Sequence, residues 1–143
     1  MLSNSSKYAI KAVLYLAVNA SESNKIMAKN ISEPINVPQA YISKLLQDLS
    51  RHNIVSSTRG PNGGFYLSEQ NLKTPLINII TIIDGDNRLN SCLLSIENCH
   101  SERPCPLHDF AASYRKNLID NLEHKTIIDL ANDIKAEKSF LPL

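Results

Sequence analysis

Apolar positions along the chain fall into helical registers separated by short polar breaks. Ala9, Ile10, Val13, Leu14, Ala17 and Val18 recur on one helix face, with Lys7 and Lys11 on the other, predicting a first helix over residues 6–20. A polar stretch over 21–25 ends it, and residues 26–32 suggest a second, short helix. Pro34 and Pro38 restrict helix on the residues before them, and Pro38 suits the first position of a third helix over 38–52. That helix places Ile42, Leu45, Leu46 and Leu49 at i, i+3, i+4 and i+7, with Gln39, Ser43, Lys44, Gln47 and Arg51 on its other face. A short helix, a tight turn and a second helix with a polar outer face outline a helix-turn-helix.

Next comes a β-branched, alternating run over 54–59, a Gly60-Pro61-Asn62-Gly63-Gly64 turn and a second short run over 65–68. This predicts a β-hairpin directly after the second helix of the pair, the position of the wing in a winged helix. Arg59 at its edge suits a narrow groove of negative potential. The glycines permit positive φ and close approach to phosphates, although a plain hairpin would also use them for its turn.

Thr74 and Pro75 read as an N-cap and a first-turn proline before a helix over 76–84, apolar almost all round and stopped by Gly85. Residues 86–105 lack periodicity, and a loop that long in a small domain marks function or disorder. Periodicity returns over 106–125, where Leu107, Phe110, Ala111, Tyr114, Leu118 and Leu122 form a stripe. A helix this long and this far from the first core is expected to pack on a second copy; the alternative is that it folds back onto the first helix. A last short helix over 126–138 precedes a tail over 139–143. The expected fold is mainly α with a small β-hairpin wing: a winged helix-turn-helix plus a long C-terminal dimerisation helix. The DNA-binding unit spans 1–85 and the cysteine-bearing sensor loop 86–105. The dimerisation and C-terminal helices, 106–143, form one compact unit with the first.

Composition narrows the class. A chain of 143 residues can bury a core without disulfide staples, and it has no run of eighteen apolar residues to span a membrane. Three cysteines and no export signal point to the reducing cytoplasm. The formal net charge of +1 argues on its face against a polyanionic partner, but the charge is unevenly placed. Through Gly64 there are seven basic and three acidic residues; from Phe65 onward there are eight and eleven. A basic N-terminal half on an acidic C-terminal half fits one end meeting nucleic acid.

All three cysteines lie in the loop, as Cys92-x6-Cys99-x5-Cys105-x2-His108. Thiolates are the soft ligands that iron–sulfur clusters and zinc select, and an imidazole can complete the fourth position. Zinc sites more often use tight C-x2-C pairs, and buried thiols with a surface histidine would give the same spacing. His100 competes as a ligand but adjoins Cys99; Asp109 could orient His108 or favour the helix N-terminus. His52 and His124 sit in surface-type helical contexts.

The segment Lys7-Tyr8-Ala9-Ile10, Tyr41 opening the third helix, and Arg59-Gly60-Pro61-Asn62-Gly63-Gly64-Phe65-Tyr66-Leu67 in the wing resemble one family of bacterial winged-helix regulators. This is the Rrf-two family, of the IscR, NsrR and CymR type, and the likeness covers nearly the whole chain; Ile82-Ile83-Asp84-Gly85 and the three-cysteine loop also fit. The resemblance implies a homodimer joined by the helix over 106–125, with two heads reading a pseudo-palindromic operator in double-stranded DNA. It makes Arg59 the wing arginine, with Gly60 and Asn62 beside it, and Tyr41 a phosphate contact. Gln39, Ser43 and Lys44 would face base edges or backbone. It implies a cluster on Cys92, Cys99, Cys105 and His108, preferably [2Fe–2S] and otherwise [4Fe–4S], which protein prepared in air can lose. The first cysteine interval here is six residues where five is usual. The N-terminal stretch from Ser3 to Tyr8 also lacks the carboxylate that NsrR-like members take as fourth ligand. Some members work without a cluster, so a cluster-free regulator responding to a metabolite or a protein partner stays open.

An enzyme is the rival of a different class, but the chain has no P-loop, no Rossmann glycine fingerprint and no nucleophile elbow. A Cys105–His108 pair at a helix start is thin support for thiol catalysis. The reading is therefore a non-enzymatic DNA-binding regulator, a repressor; a protein-interaction module that kept the fold without DNA binding is the third option.

Overall fold

The computed structural model describes residues 2–94 and 102–143. Seven helices and one hairpin follow in the order α1 (Asn4–Asn19), α2 (Ala28–Ile35), α3 (Gln39–Arg51), β1 (Ser56–Thr58), β2 (Gly64–Tyr66), α4 (Glu69–Leu72), α5 (Leu76–Asp84), α6 (His108–His124) and α7 (Ile127–Lys135). The mainly helical class with a two-stranded antiparallel hairpin agrees with the sequence reading.

α1 is the central helix, packed against α2, α3, α5 and α7. Its Ala9, Ala12, Val13 and Leu16 have no solvent exposure because neighbours cover it on several sides rather than along one stripe. The expected stripe missed Ala12 and Leu16 for that reason, and Ile10 and Val18 are only half-buried.

α2 runs to Ile35, past the end expected at Ser32, and carries Pro34 inside its last turn. Proline there costs a hydrogen bond and disfavours helix at Glu33. The offset is burial of Ile31 and Ile35, four positions apart on the face turned to the core. Asn36 ends α2 in the left-handed region at φ 59°, with the Val37 N–H donating to the Ser32 carbonyl at 3.1 Å. Pro38 then caps α3 at its N-terminus.

Ile26, expected to open the second helix, pairs instead with β2. Its N–H donates to the Phe65 carbonyl at 3.0 Å and its carbonyl accepts from the Phe65 N–H at 2.8 Å. The hairpin thus gains a third extended segment. Thr74 is no cap either: Pro75 precedes α5, and the 74–76 backbone pairs with 125–127. Leu76 N–H donates to the Lys125 carbonyl at 2.9 Å, and Ile127 N–H donates to the Thr74 carbonyl at 3.0 Å. That pairing sets α7 on α1, with Ile127 and Ala131 fully buried. The element that folds back onto the first helix is α7, whereas α6 packs against α5 and buries none of its residues.

Candidate nucleic-acid interface and thiol pair

α3 separates its residues by face. Ile42, Leu45, Leu46 and Leu49 are buried, while Gln39 and Lys44 are exposed and Ser43 is half-exposed. Asp48 on this helix pairs with Arg51 at 3.2 Å. Tyr41 is half-buried and held from α1: its hydroxyl lies 2.6 Å from the Ser5 hydroxyl, and its ring meets Tyr8 edge-on at 6.0 Å.

The wing follows five residues after α3, with Ser56 opposite Tyr66, Ser57 opposite Phe65 and Thr58 opposite Gly64. Arg59, Gly60 and Asn62 form its exposed tip. Gly60 adopts φ +106° in open space, while Gly64 adopts φ +150° with an added Cβ falling 2.8 Å from the Ile26 backbone. Two of the wing's glycine features therefore serve the turn and the third extended segment. Lys25 adds a cation at the wing's base, its Nζ 5.6 Å from the Tyr66 ring centre.

Sequence reasoning missed the side chain that fixes the wing to α3. Asn71 is buried; its Oδ1 accepts from the Ser56 hydroxyl at 2.7 Å and the Ser68 N–H at 2.8 Å, and its Nδ2 donates to the Asn53 carbonyl at 2.8 Å. It joins the α3–β1 turn, β1 and α4 at one point. The signal was a capping box, Ser68-x-x-Asn71, whose partner is Asn in place of Glu or Gln.

Of the four expected metal ligands, Cys99 lies outside the described residues. Cys92 is buried in the segment after α5, and its Sγ lies 3.5 Å from Cys105 Sγ. Two thiolates on one tetrahedral metal, each about 2.3 Å from it, stand roughly 3.7 Å apart, so this pair fits two corners of such a site. His108 opens α6, its N–H donating to the Cys105 carbonyl at 2.9 Å. Among the described residues no three of His, Cys, Asp and Glu form a metal-holding group. Beside the thiol pair a cleft of about 510 Å³ is lined by Arg88, Leu89, Cys92, Phe110, Tyr114 and Arg115, among others.

A helix-turn-helix, a hairpin wing with an exposed arginine and a trailing thiol segment are together on one chain. Residues 2–133 match the family model described as Rrf2, iron-dependent transcriptional regulator. The chain belongs to the Rrf2 family. It is 26% identical over 132 residues to the HTH-type transcriptional regulator IscR of Erwinia tasmaniensis, spanning 92% of this chain and 79% of that one. Its fold is similar to that of CymR, the global cysteine regulator of B. subtilis, with a TM-score of 0.72, 24% identity and coverage of 92% and 96%. It is also similar to the structure of T. potens IscR, with a TM-score of 0.71, 21% identity and coverage of 97% and 91%. The Rrf2 chain is a transcriptional regulator of a non-enzymatic family, as the sequence reading held. No helix among the described residues is long and apolar enough to cross a membrane.

Proposed function

We propose that this Rrf2 protein regulates transcription as a homodimer reading a pseudo-palindromic duplex. The observation that carries the proposal is the face separation of α3, with Gln39, Ser43 and Lys44 outside a fully buried Ile42–Leu46–Leu49 row, followed by a wing with Arg59 at its exposed tip. α3 enters the major groove, where these side chains meet base edges and backbone, and Tyr41 reaches a phosphate. The N-cap residue Pro38 makes no side-chain capping hydrogen bond to the first turn of α3, so the leading N–H groups of that helix suit a phosphate. Arg59, with Gly60 and Asn62, enters the minor groove. The partner copy covers Phe110 and Tyr114 of α6, which are 78% and 67% exposed on the single chain. The head is 1–85, the sensor segment 86–105 and the dimer-forming part 106–143.

Cys92, Cys105 and His108, with Cys99, would hold an iron–sulfur cluster. The family's iron dependence and the 3.5 Å thiol pair support this reading. Such a cluster supplies an electron-accepting centre whose loss or oxidation changes the charge and packing of the segment that holds it. A cluster-free regulator of the same fold is the second reading, favoured by the likeness to CymR.

Two measurements separate these. Protein purified anaerobically should be coloured and contain iron and sulfide, and Cys92→Ser should bleach it; colourless, iron-free protein removes the cluster alone. Duplexes selected from a random pool should carry inverted repeats and bind with an affinity that falls steeply with salt, since phosphate contacts release counterions. Selection of no duplex would remove the DNA-reading role.

A further inference from the structure

α5 ends in Asp84, an acid at the end of a helix where the dipole disfavours it. In space, that carboxylate sits on the N-terminus of α1. Its Oδ2 accepts from the Ser3 N–H at 3.2 Å and the buried Ser6 hydroxyl at 2.8 Å, and its Oδ1 accepts from the Ser3 hydroxyl. α1 has no acidic residue in its own first turn, so α5 supplies the charge that this terminus favours. The first two turns of α1 carry Ser5, hydrogen-bonded to Tyr41, and Tyr8, whose ring meets Tyr41 edge-on. Ser3 and Ser6 thus face α5 while Ser5 and Tyr8 face α3. Gly85, at φ +83°, follows Asp84 and opens the cysteine-bearing segment.

We propose that Asp84 is a positioning residue for DNA recognition: through Ser3 and Ser6 it holds the first turn of α1, and through Ser5 that turn holds Tyr41 and the N-terminal end of α3. The inference rests on α3 being the recognition helix. It makes Asp84 the point where a displacement of the segment beginning at Gly85 is delivered to the DNA-facing helix. Burial opposes ionisation of Asp84. The hydrogen bonds from Ser3 and Ser6, with the nearby Arg88 charge, outweigh it and hold the carboxyl below its ordinary value. Asp84→Asn keeps one acceptor oxygen but turns an NH2 toward the three donors that share the carboxylate, the Ser3 N–H, the Ser3 hydroxyl and the fully buried Ser6 hydroxyl, so the first turn of α1 cannot ignore the change.

The test is a double-mutant cycle on Asp84→Asn and Ser5→Ala. These residues share no hydrogen bond, and neither belongs to the proposed DNA-contacting set. The probe is a duplex selected from a random pool by the wild-type protein. Each single variant should weaken binding by about three- to tenfold, and the double variant should be no weaker than the weaker single. Hydrogen exchange of backbone amides over 39–45 should accelerate in both singles, while amides over 56–66 in the wing keep wild-type rates. Multiplying effects in the double variant, or unchanged affinity and exchange in Asp84→Asn, would overturn the proposal. If Asp84→Asn does not fold, Ser3→Ala takes its place in the cycle. If the wild-type protein selects no duplex, the DNA-reading role fails, and the exchange measurement alone decides whether Asp84 controls α3.

Discussion

The side-chain amide of Asn71 donates to the backbone carbonyl of Asn53 at 2.8 Å, joining α4 to the turn that leaves α3. Asn53 is itself in the left-handed region at φ 59°, so the turn's direction and its anchor are set together. Asn71→Ala strands the Asn53 carbonyl, the Ser56 hydroxyl and the Ser68 N–H. It should cost roughly 2–4 kcal/mol in urea unfolding. Asn71→Asp keeps the acceptor but faces a carboxylate oxygen to the Asn53 carbonyl, and should be no milder. A variant as stable as wild type would show that the network does not hold the wing.

The wing glycines should differ sharply from one another. At Gly60 an alanine meets open space and carries only the strain of φ +106°, about 1 kcal/mol. At Gly64 the Cβ would stand 2.8 Å from the Ile26 backbone, so alanine must break the Ile26–Phe65 pairing. Gly64→Ala should lose more than about 2 kcal/mol, and amide exchange at Ile26 and Phe65 should rise with it.

Arg59→Ala should leave the unfolding midpoint unchanged, because the side chain is exposed at the wing's tip. Affinity for a selected duplex should fall by about 1–3 kcal/mol, with a change of sequence preference at the position it reads. Lys44→Ala should weaken all duplexes more uniformly and flatten the salt dependence if it meets phosphate. Equal loss on selected and random DNA for Arg59→Ala would assign it to phosphate instead.

Acid should destabilise the fold in a way that Asp84→Asn reduces. The folded-state pKa of Asp84 lies below its ordinary value, so its contribution is complete above the ordinary carboxylate range. That contribution is lost as pH falls through the lowered value. Asp129, whose carboxylate accepts from the Thr126 N–H and hydroxyl, is lowered as well and leaves a residual acid dependence in the variant. Urea midpoints between pH 6 and pH 2.5 should show the wild type losing more than Asp84→Asn; parallel curves would contradict the assignment.

Phe110→Glu should convert a dimer to a monomer by sedimentation, with an unchanged helical circular dichroism spectrum. The side chain is exposed on a helix with no buried residue, so its replacement disturbs no core of its own chain. A wild-type protein already monomeric at micromolar concentration would remove the homodimer from the proposal.

Legibility followed how many sides of each element are covered. α3 has one wet face, so its four buried residues stood out by spacing alone. α1 is covered on several sides, and periodicity could not show that Ala12 and Leu16 are as deep as Val13. The end of α2 was misplaced because the local penalty of Pro34 was visible while the burial of Ile35 was not. Local pattern makes Ile26 a helix opener and Thr74 an N-cap because their actual partners, Phe65 and Ile127, are distant in sequence. The cysteine spacing announced thiol chemistry without showing which sulfurs meet; the fold brings Cys92 to Cys105.

The backbone pairing of 74–76 with 125–127 ties the chain to itself at the two ends of the stretch that runs from α5 through α6. Viewed as a circuit, the polypeptide departs at Pro75 and returns at Thr126, and the stretch between them is a closed loop whose first arm, α5, lies on α1. Residues inserted or removed after Gly85 should leave the junction at 75 and 126, and α5 on α1, where they are, so the loop can vary in length without loosening the core.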